Sequence, residues 1–313
     1  MAFLTQHFGE VWIGVAVAAA LFQTVRFMLQ KQLSQVKLSA AGATFARFVY
    51  SAPLAVCLLL IVSTQTTFPP IQQGFWTFGA IGGLAQILAT VCTVMLFKQR
   101  NFAVGVTFKK TEVLLTAVIG FVILGEVVSK LGALSIAIGA AGVLVLSRAP
   151  ADRADHDAPK KRGWRKFVSP SVVLGLTAGA LFGVSAVTYR AASLTVMTDA
   201  PFLRALITLA AVTSMQMIGM GLWLLWRDRV ELGRVLAAWR TAGWIGIFSM
   251  AGTFCWFTAF TLQNAAYVKA VGQVELIFSL IASVVFFREK ITLRELSGIA
   301  LISASVLGVV LAI

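Results

Sequence analysis

Residues Leu96–Glu126, LFKQRNFAVGVTFKKTEVLLTAVIGFVILGE, return later in the chain as Ala259–Glu289, AFTLQNAAYVKAVGQVELIFSLIASVVFFRE. Asn101, Glu112 and Glu126 fall on Asn264, Glu275 and Glu289 at a constant offset of 163 residues, and the same shift lays Thr90 on Thr253 and Cys92 on Cys255. Ungapped polar matches are hard to produce by chance in a Leu/Val/Ala-rich background. The chain therefore reads as a duplication, each half carrying a carboxylate inside an apolar helix.

Composition sets the environment. The 313 residues are 59% hydrophobic and 12% charged, with a mean hydropathy of +0.89, whereas soluble chains are about one quarter charged. This is a bilayer protein. Its net charge of +14 sits in short connections between apolar runs rather than on one stripe, which argues against nucleic acid as a partner. Cys57, Cys92 and Cys255 lie in apolar runs without metal-ligand spacing, and no histidine falls within a span, so neither a metal site nor another cofactor is expected. Met1 to Glu10 holds no Lys or Arg, and the first apolar run reads as a retained helix rather than a cleaved leader.

Crossing a bilayer takes about 20 apolar residues, and that ruler predicts ten segments. They are 11–31, 41–62, 74–97, 103–124 and 130–148, then 170–190, 200–226, 242–262, 265–287 and 293–313. The fold class expected is an all-α membrane protein of ten transmembrane helices: a first five-helix repeat at 1–148, a charged cytosolic linker at 149–167 and a second repeat at 168–313. Five is odd, so the second repeat enters the membrane in the opposite sense and the repeats are inverted. Eighteen of the 26 cations fall in the connections after spans 1, 3, 5, 7 and 9, while the opposite side has only Lys130 and Arg190. Positive-inside reasoning puts those eighteen in the cytosol and both termini outside.

The junctions Ile123–Leu146 and Phe286–Leu311, with Leu124-Gly125-Glu126 and the arginines Arg47 and Arg204 near the starts of spans 2 and 7, resemble the drug/metabolite transporter superfamily, in particular its ten-helix EamA-type members. The resemblance covers nearly the whole chain and implies a transporter, not an enzyme. It implies a substrate class only loosely, because the same frame serves exporters of amino acids, drugs and metabolites and carriers of nucleotide sugars. Two departures stand out. Glu112 and Glu275 lie near the places where such proteins usually carry proline, and such proteins usually keep both termini in the cytosol.

Charge within a bilayer is costly, so each such residue needs a partner or a watery cavity. Glu112 and Glu275 lie roughly ten residues into their spans, near mid-depth at about 1.5 Å per residue. Lys109, three residues before Glu112, shares its face and is expected to neutralise it. Lys110 lies about 200° around and lines the cavity or reaches a neighbouring helix, as does its counterpart Gln273. Gly272 replaces Lys109 in the second copy, and Lys269 is about 120° off the Glu275 face. Glu275 is thus the less compensated carboxylate and the candidate for reversible protonation, unless Arg204 or Arg26 pairs with it to fix packing.

Arg26, beside Gln23 and Thr24, suggests a wet face; Arg47 and Arg204 either line the path or snorkel to headgroups. Gln86, Thr253 and Trp256 offer hydrogen bonds and an aromatic wall, although a lone tryptophan is more often interfacial or packed. Gly132, Gly139 and Gly142 are read as close helix packing. Six intramembrane cations against two carboxylates favour a carboxylate-bearing or zwitterionic metabolite such as an amino acid. The function expected is a secondary active exporter in a bacterial inner membrane, working by alternating access with a proton as coupling ion. Lipids are its surroundings, and it acts as a monomer or weak homodimer. A flippase for a lipid-linked or phosphorylated headgroup is the alternative, and a non-transporting scaffold is the alternative of another class.

Overall fold

The computed structural model describes residues 2–36, 38–96, 109–147, 170–278, 281 and 293–311. These residues are helical nearly throughout, and the pairing of extended backbone among them is a single bridge between Ile71 and Val196. In chain order the helices are α1 (Ala2–Val36), α2 (Ala40–Ser63), α3 (Gly74–Leu96), α4 (Glu112–Leu124), α5 (Lys130–Ser147), α6 (Pro170–Leu194), α7 (Pro201–Arg227), α8 (Arg229–Ala237), α9 (Trp239–Leu262), α10 (Ala265–Val271) and α11 (Leu293–Leu311). Six of them (α1, α2, α3, α6, α7 and α9) hold stretches of 23 to 27 residues long and apolar enough to cross a membrane, while α4, α5 and α11 are shorter apolar helices. The residue distribution is that of a multi-pass membrane protein. Val122 and Leu84 are 74% and 60% exposed, whereas Arg47 and Thr90 are 3% and 0% exposed. Polar groups face inward, toward one another, because the bilayer core offers them no water.

Helix ends are set locally. Ser39 accepts from the Gly42 N–H at 3.0 Å and caps α2. Pro201 opens α7, and Gly125, at φ 66°, closes α4 in the left-handed conformation. The main packed pairs are α1 with α9, α3 with α6, and α5 with α11.

Two expected spans are broken where they are described. Residues 103–108 lie outside the described residues; α4 starts only at Glu112, after a turn at Lys110 and Thr111. In the second copy α10 stops at Val271, tightens into a 3₁₀ turn over Gly272–Val274, and resumes at Glu275. The 163-residue shift lays Gly272–Val274 on Lys109–Thr111, so both copies interrupt the helix just before the carboxylate. The expectation of a carboxylate deep inside one continuous helix is thus corrected: each lies in the first turn after a break. No proline is involved. The first break packs backbone against α6, where a Cβ on Gly179 would stand 2.7 Å from the Lys109 carbonyl oxygen and 3.3 Å from the Glu112 nitrogen.

The connection after α7 also differs from expectation, because it holds the short helix α8. Asp228 caps it, accepting from the Glu231 N–H at 3.0 Å, and Glu231 accepts from the Ser39 N–H at 2.6 Å, a carboxylate at the positive end of α2. The α1–α2 and α7–α9 connections therefore meet at one end of the molecule. At the other end Met197 N–H donates to the Pro70 carbonyl at 3.0 Å, and Ser129 N–H donates to the Tyr267 hydroxyl at 2.9 Å. Arg190 ties that end further by donating to Glu126 and to the Phe260 and Gln263 carbonyls. The expected linker at 149–167 lies outside the described residues, as do Asn101 and Glu289.

Candidate functional site

Helical spacing gathers the site. On α1, Gln23, Arg26, Phe27 and Gln30 recur at three- and four-residue intervals and share one face, with Arg26 3% and Gln30 0% exposed. On α9 the stripe runs Ser249, Gly252, Thr253, Trp256, Phe257 and Phe260. Gln23 and Arg26 of the first face and the whole α9 stripe, with Arg47, Gln86, Phe182, Ser185, Tyr189 and Lys269, surround a narrow cavity of about 20 Å³. That is room for about one water.

Arg47 does not snorkel. Its Nε donates to Ser249 at 2.7 Å, Nη1 to Thr90 at 3.4 Å and Nη2 to Thr253 at 3.1 Å, so one guanidinium ties α2, α3 and α9 through hydroxyls. Below it Gln86 accepts from the Tyr189 hydroxyl and from Gln216 Nε2, each at 3.0 Å.

The carboxylates pair across the two copies rather than within one. Lys110 donates to Glu275 at 2.8 Å, and Lys269 lies 3.5 Å from Glu112. Two expectations are thereby corrected. Glu112 takes Lys269 in place of the same-helix Lys109, whose ammonium lies 4.5 Å from the Phe27 ring centroid and 5.0 Å from that of Phe182. Glu275 is not the poorly compensated carboxylate: besides Lys110 it accepts from Gln23 Nε2 at 3.1 Å, and Gln23 Oε1 in turn accepts from Trp256 Nε1 at 3.1 Å. The tryptophan is buried and bonded, not interfacial. Lys269 stands 4.6 Å from its ring.

Residues 10–148 and 169–311 match the EamA-like transporter family. The chain belongs to this family. It is thereby a membrane transporter of the drug/metabolite transporter superfamily, whose EamA members are transporters rather than enzymes. A solved crystal structure is similar over 95% of this chain and 95% of its own, with a TM-score of 0.67 at 16% identity, a likeness that shows the fold. Among curated proteins none matches the chain.

Within the EamA frame, the structure brings Glu275, Glu112, Lys109, Lys110, Arg26, Arg47, Gln86 and Trp256 into one cluster and leaves two expected residues apart. Gln273 turns away from the main cavity to a smaller one beside Lys110 and Ser305, where its Oε1 has no hydrogen-bond partner among the described residues. Arg204 lies in the first turn of α7, its Nε donating to the Val196 carbonyl at 3.0 Å, in a cleft with Asp199 and Thr261. Sequence reasoning missed Phe182, Tyr189, Ser249, Gln216 and Phe260. Gln216 alone carried a usable signal, as an amide in the middle of an apolar span.

Proposed function

We propose that this EamA-family protein is a secondary active transporter, exporting a small carboxylate-bearing metabolite such as an amino acid from a bacterial cell by alternating access around the central site. One observation carries the reading. Five buried cations (Arg26, Arg47, Lys109, Lys110 and Lys269) meet two buried carboxylates, Glu112 and Glu275, so the centre favours an anionic group. Export rests on the resemblance to exporters. Alternating access is supported by features of inverted five-helix repeats at 1–148 and 168–313: helix breaks at equivalent positions, as in discontinuous transporter helices, and two family matches along the chain. It is supported also by the α1–α2 connection sharing an end with α8, which inverted copies require. The cation distribution favours that end, rich in Arg227, Arg229 and Arg234, as cytosolic, with both termini outside.

Coupling to a proton enters through Glu275. Protonation there would release Lys110 and Gln23 together, linking the break in α10 to the cavity wall. Uptake of radiolabelled substrate into everted vesicles, with and without an imposed proton gradient, tests the reading. Uptake driven by the gradient in wild type and lost in Glu275→Gln is the expected result; indifference to the gradient removes the proton.

A lipid headgroup carrier is the second reading, favoured by an apolar groove of about 570 Å³ between α3 and α7, lined by Gly83, Leu84, Ile87, Met215, Gln216 and Trp223. Gln216, at its wall, donates to the cavity-lining Gln86. An inert scaffold would have no use for so many buried cations.

A further inference from the structure

We infer that the central site takes a substrate with two negative charges, a dicarboxylate or a phosphate monoester. The inference rests on the transporter reading above and sharpens it. Both buried carboxylates are already engaged, Glu275 by Lys110 and Glu112 by Lys269. Arg26, Arg47 and Lys109 form no ion pair among the described residues, and the Glu275 carboxylate that acts on Arg26 and Lys109 at longer range is already held by Lys110. Arg47 gives one hydrogen bond from each of its three nitrogens, all to hydroxyls. Arg26 lines the cavity, is 3% exposed, and its Nη1 has no hydrogen-bond partner among the described residues.

Its guanidinium lies 4.3 Å from the Phe27 ring centroid, and the Lys109 ammonium lies 4.5 Å from the same ring. A ring face offsets only part of what a buried cation loses on leaving water. Arg26 and Lys109 therefore flank one aromatic side chain as two under-compensated cations; Arg26 and Arg47 line the cavity, and Lys109 sits against Phe182 of its wall. A zwitterion leaves this surplus unchanged and a monoanion removes one charge of it. A dianion removes two, and its two anionic groups can engage Arg26 and Lys109 separately. The stacked Trp256 and Phe260 rings, 5.7 Å apart, offer the apolar wall for the carbon skeleton between them. The cavity of about 20 Å³ holds little more than a water, so loading requires the walls to part.

Thermal unfolding of the full-length protein in detergent tests this at constant ionic strength and pH, with succinate, glycerol 3-phosphate, butyrate and β-alanine as probes. Succinate or glycerol 3-phosphate is expected to raise Tm with an apparent Kd at least tenfold lower than that of butyrate or β-alanine. Arg26→Gln and Lys109→Gln should each abolish that preference, and Arg26→Lys should restore part of it, which separates loss of charge from loss of fold. Butyrate or β-alanine protecting as well as the dianions overturns the two-charge assignment and leaves the carboxylate reading standing. Protection by none of the four overturns both. Dihexanoyl phosphatidic acid, added as a fifth probe, separates the sources of a phosphate dianion: stronger protection than by glycerol 3-phosphate places it on a lipid, equal or weaker protection on a soluble metabolite.

Discussion

Lys110 and Glu275 come from different halves of the chain and hold each other at 2.8 Å. Glu275→Gln strands a buried ammonium, a change that costs about 3–5 kcal/mol when a buried pair loses one member. Its Tm should fall by several degrees and transport by at least tenfold. Adding Lys110→Met should recover most of the Tm but not the transport, because the double variant removes both charges together; a double-mutant cycle on Tm and initial rate checks this. Arg47→Lys should cost about 1–3 kcal/mol, because an ammonium cannot reproduce the fork that meets Ser249, Thr90 and Thr253; chemical or thermal unfolding reads it. At this scale the sequence named most of the central charges but not their partners. Same-helix geometry could evaluate Lys109 against Glu112, yet the actual pairs, Lys110 with Glu275 and Lys269 with Glu112, join residues 165 and 157 positions apart. Nor are they images of each other: the repeat lays Lys110 on Gln273 and Lys269 on Val106, so the duplication itself could not supply them.

Helix contacts depend on side chains that are absent. Gly142 on α5 faces α11, where an added Cβ would stand 2.8 Å from the Leu301 Cβ and 3.1 Å from the Gly298 carbonyl oxygen, so the obstacle includes backbone. Gly142→Val should therefore destabilise by about 1–3 kcal/mol through overpacking. Gly219, on α7 beside the apolar groove, has no described residue within 4 Å of an added Cβ. Gly219→Ala should be neutral or stabilising by about 0.5–1 kcal/mol, since it only restrains the unfolded chain; parallel melts of the two variants decide the contrast. Apolar length was enough to locate α1, α2, α3, α6, α7 and α9. The interruptions at Lys110–Thr111 and Gly272–Val274 were not legible, because no proline marks them and the close approach of Gly179 to Lys109 is a tertiary contact. Helix α8 was hidden for a related reason: its Asp228 cap and buried Glu231 read as ordinary loop charges until Ser39 is placed beside them.

The whole molecule has two ends that cation counting assigns to opposite sides of the membrane. In a background lacking Cys57, Cys92 and Cys255, a membrane-impermeant maleimide should label Gln65→Cys in intact cells and Gly233→Cys only after lysis, both positions being exposed. The reverse pattern would put the termini in the cytosol. A 3₁₀ turn advances about 120° and 2.0 Å per residue, an α-helix about 100° and 1.5 Å. Rewinding Gly272–Val274 into regular α-helix would therefore screw Glu275 by about 60° about the helix axis and draw the two flanking segments together by about 1.5 Å. Such a twist is wide enough to carry the carboxylate away from Lys110 while leaving α1 and α9 where they are, so the first movement of a transport cycle need involve no more than a single helical turn.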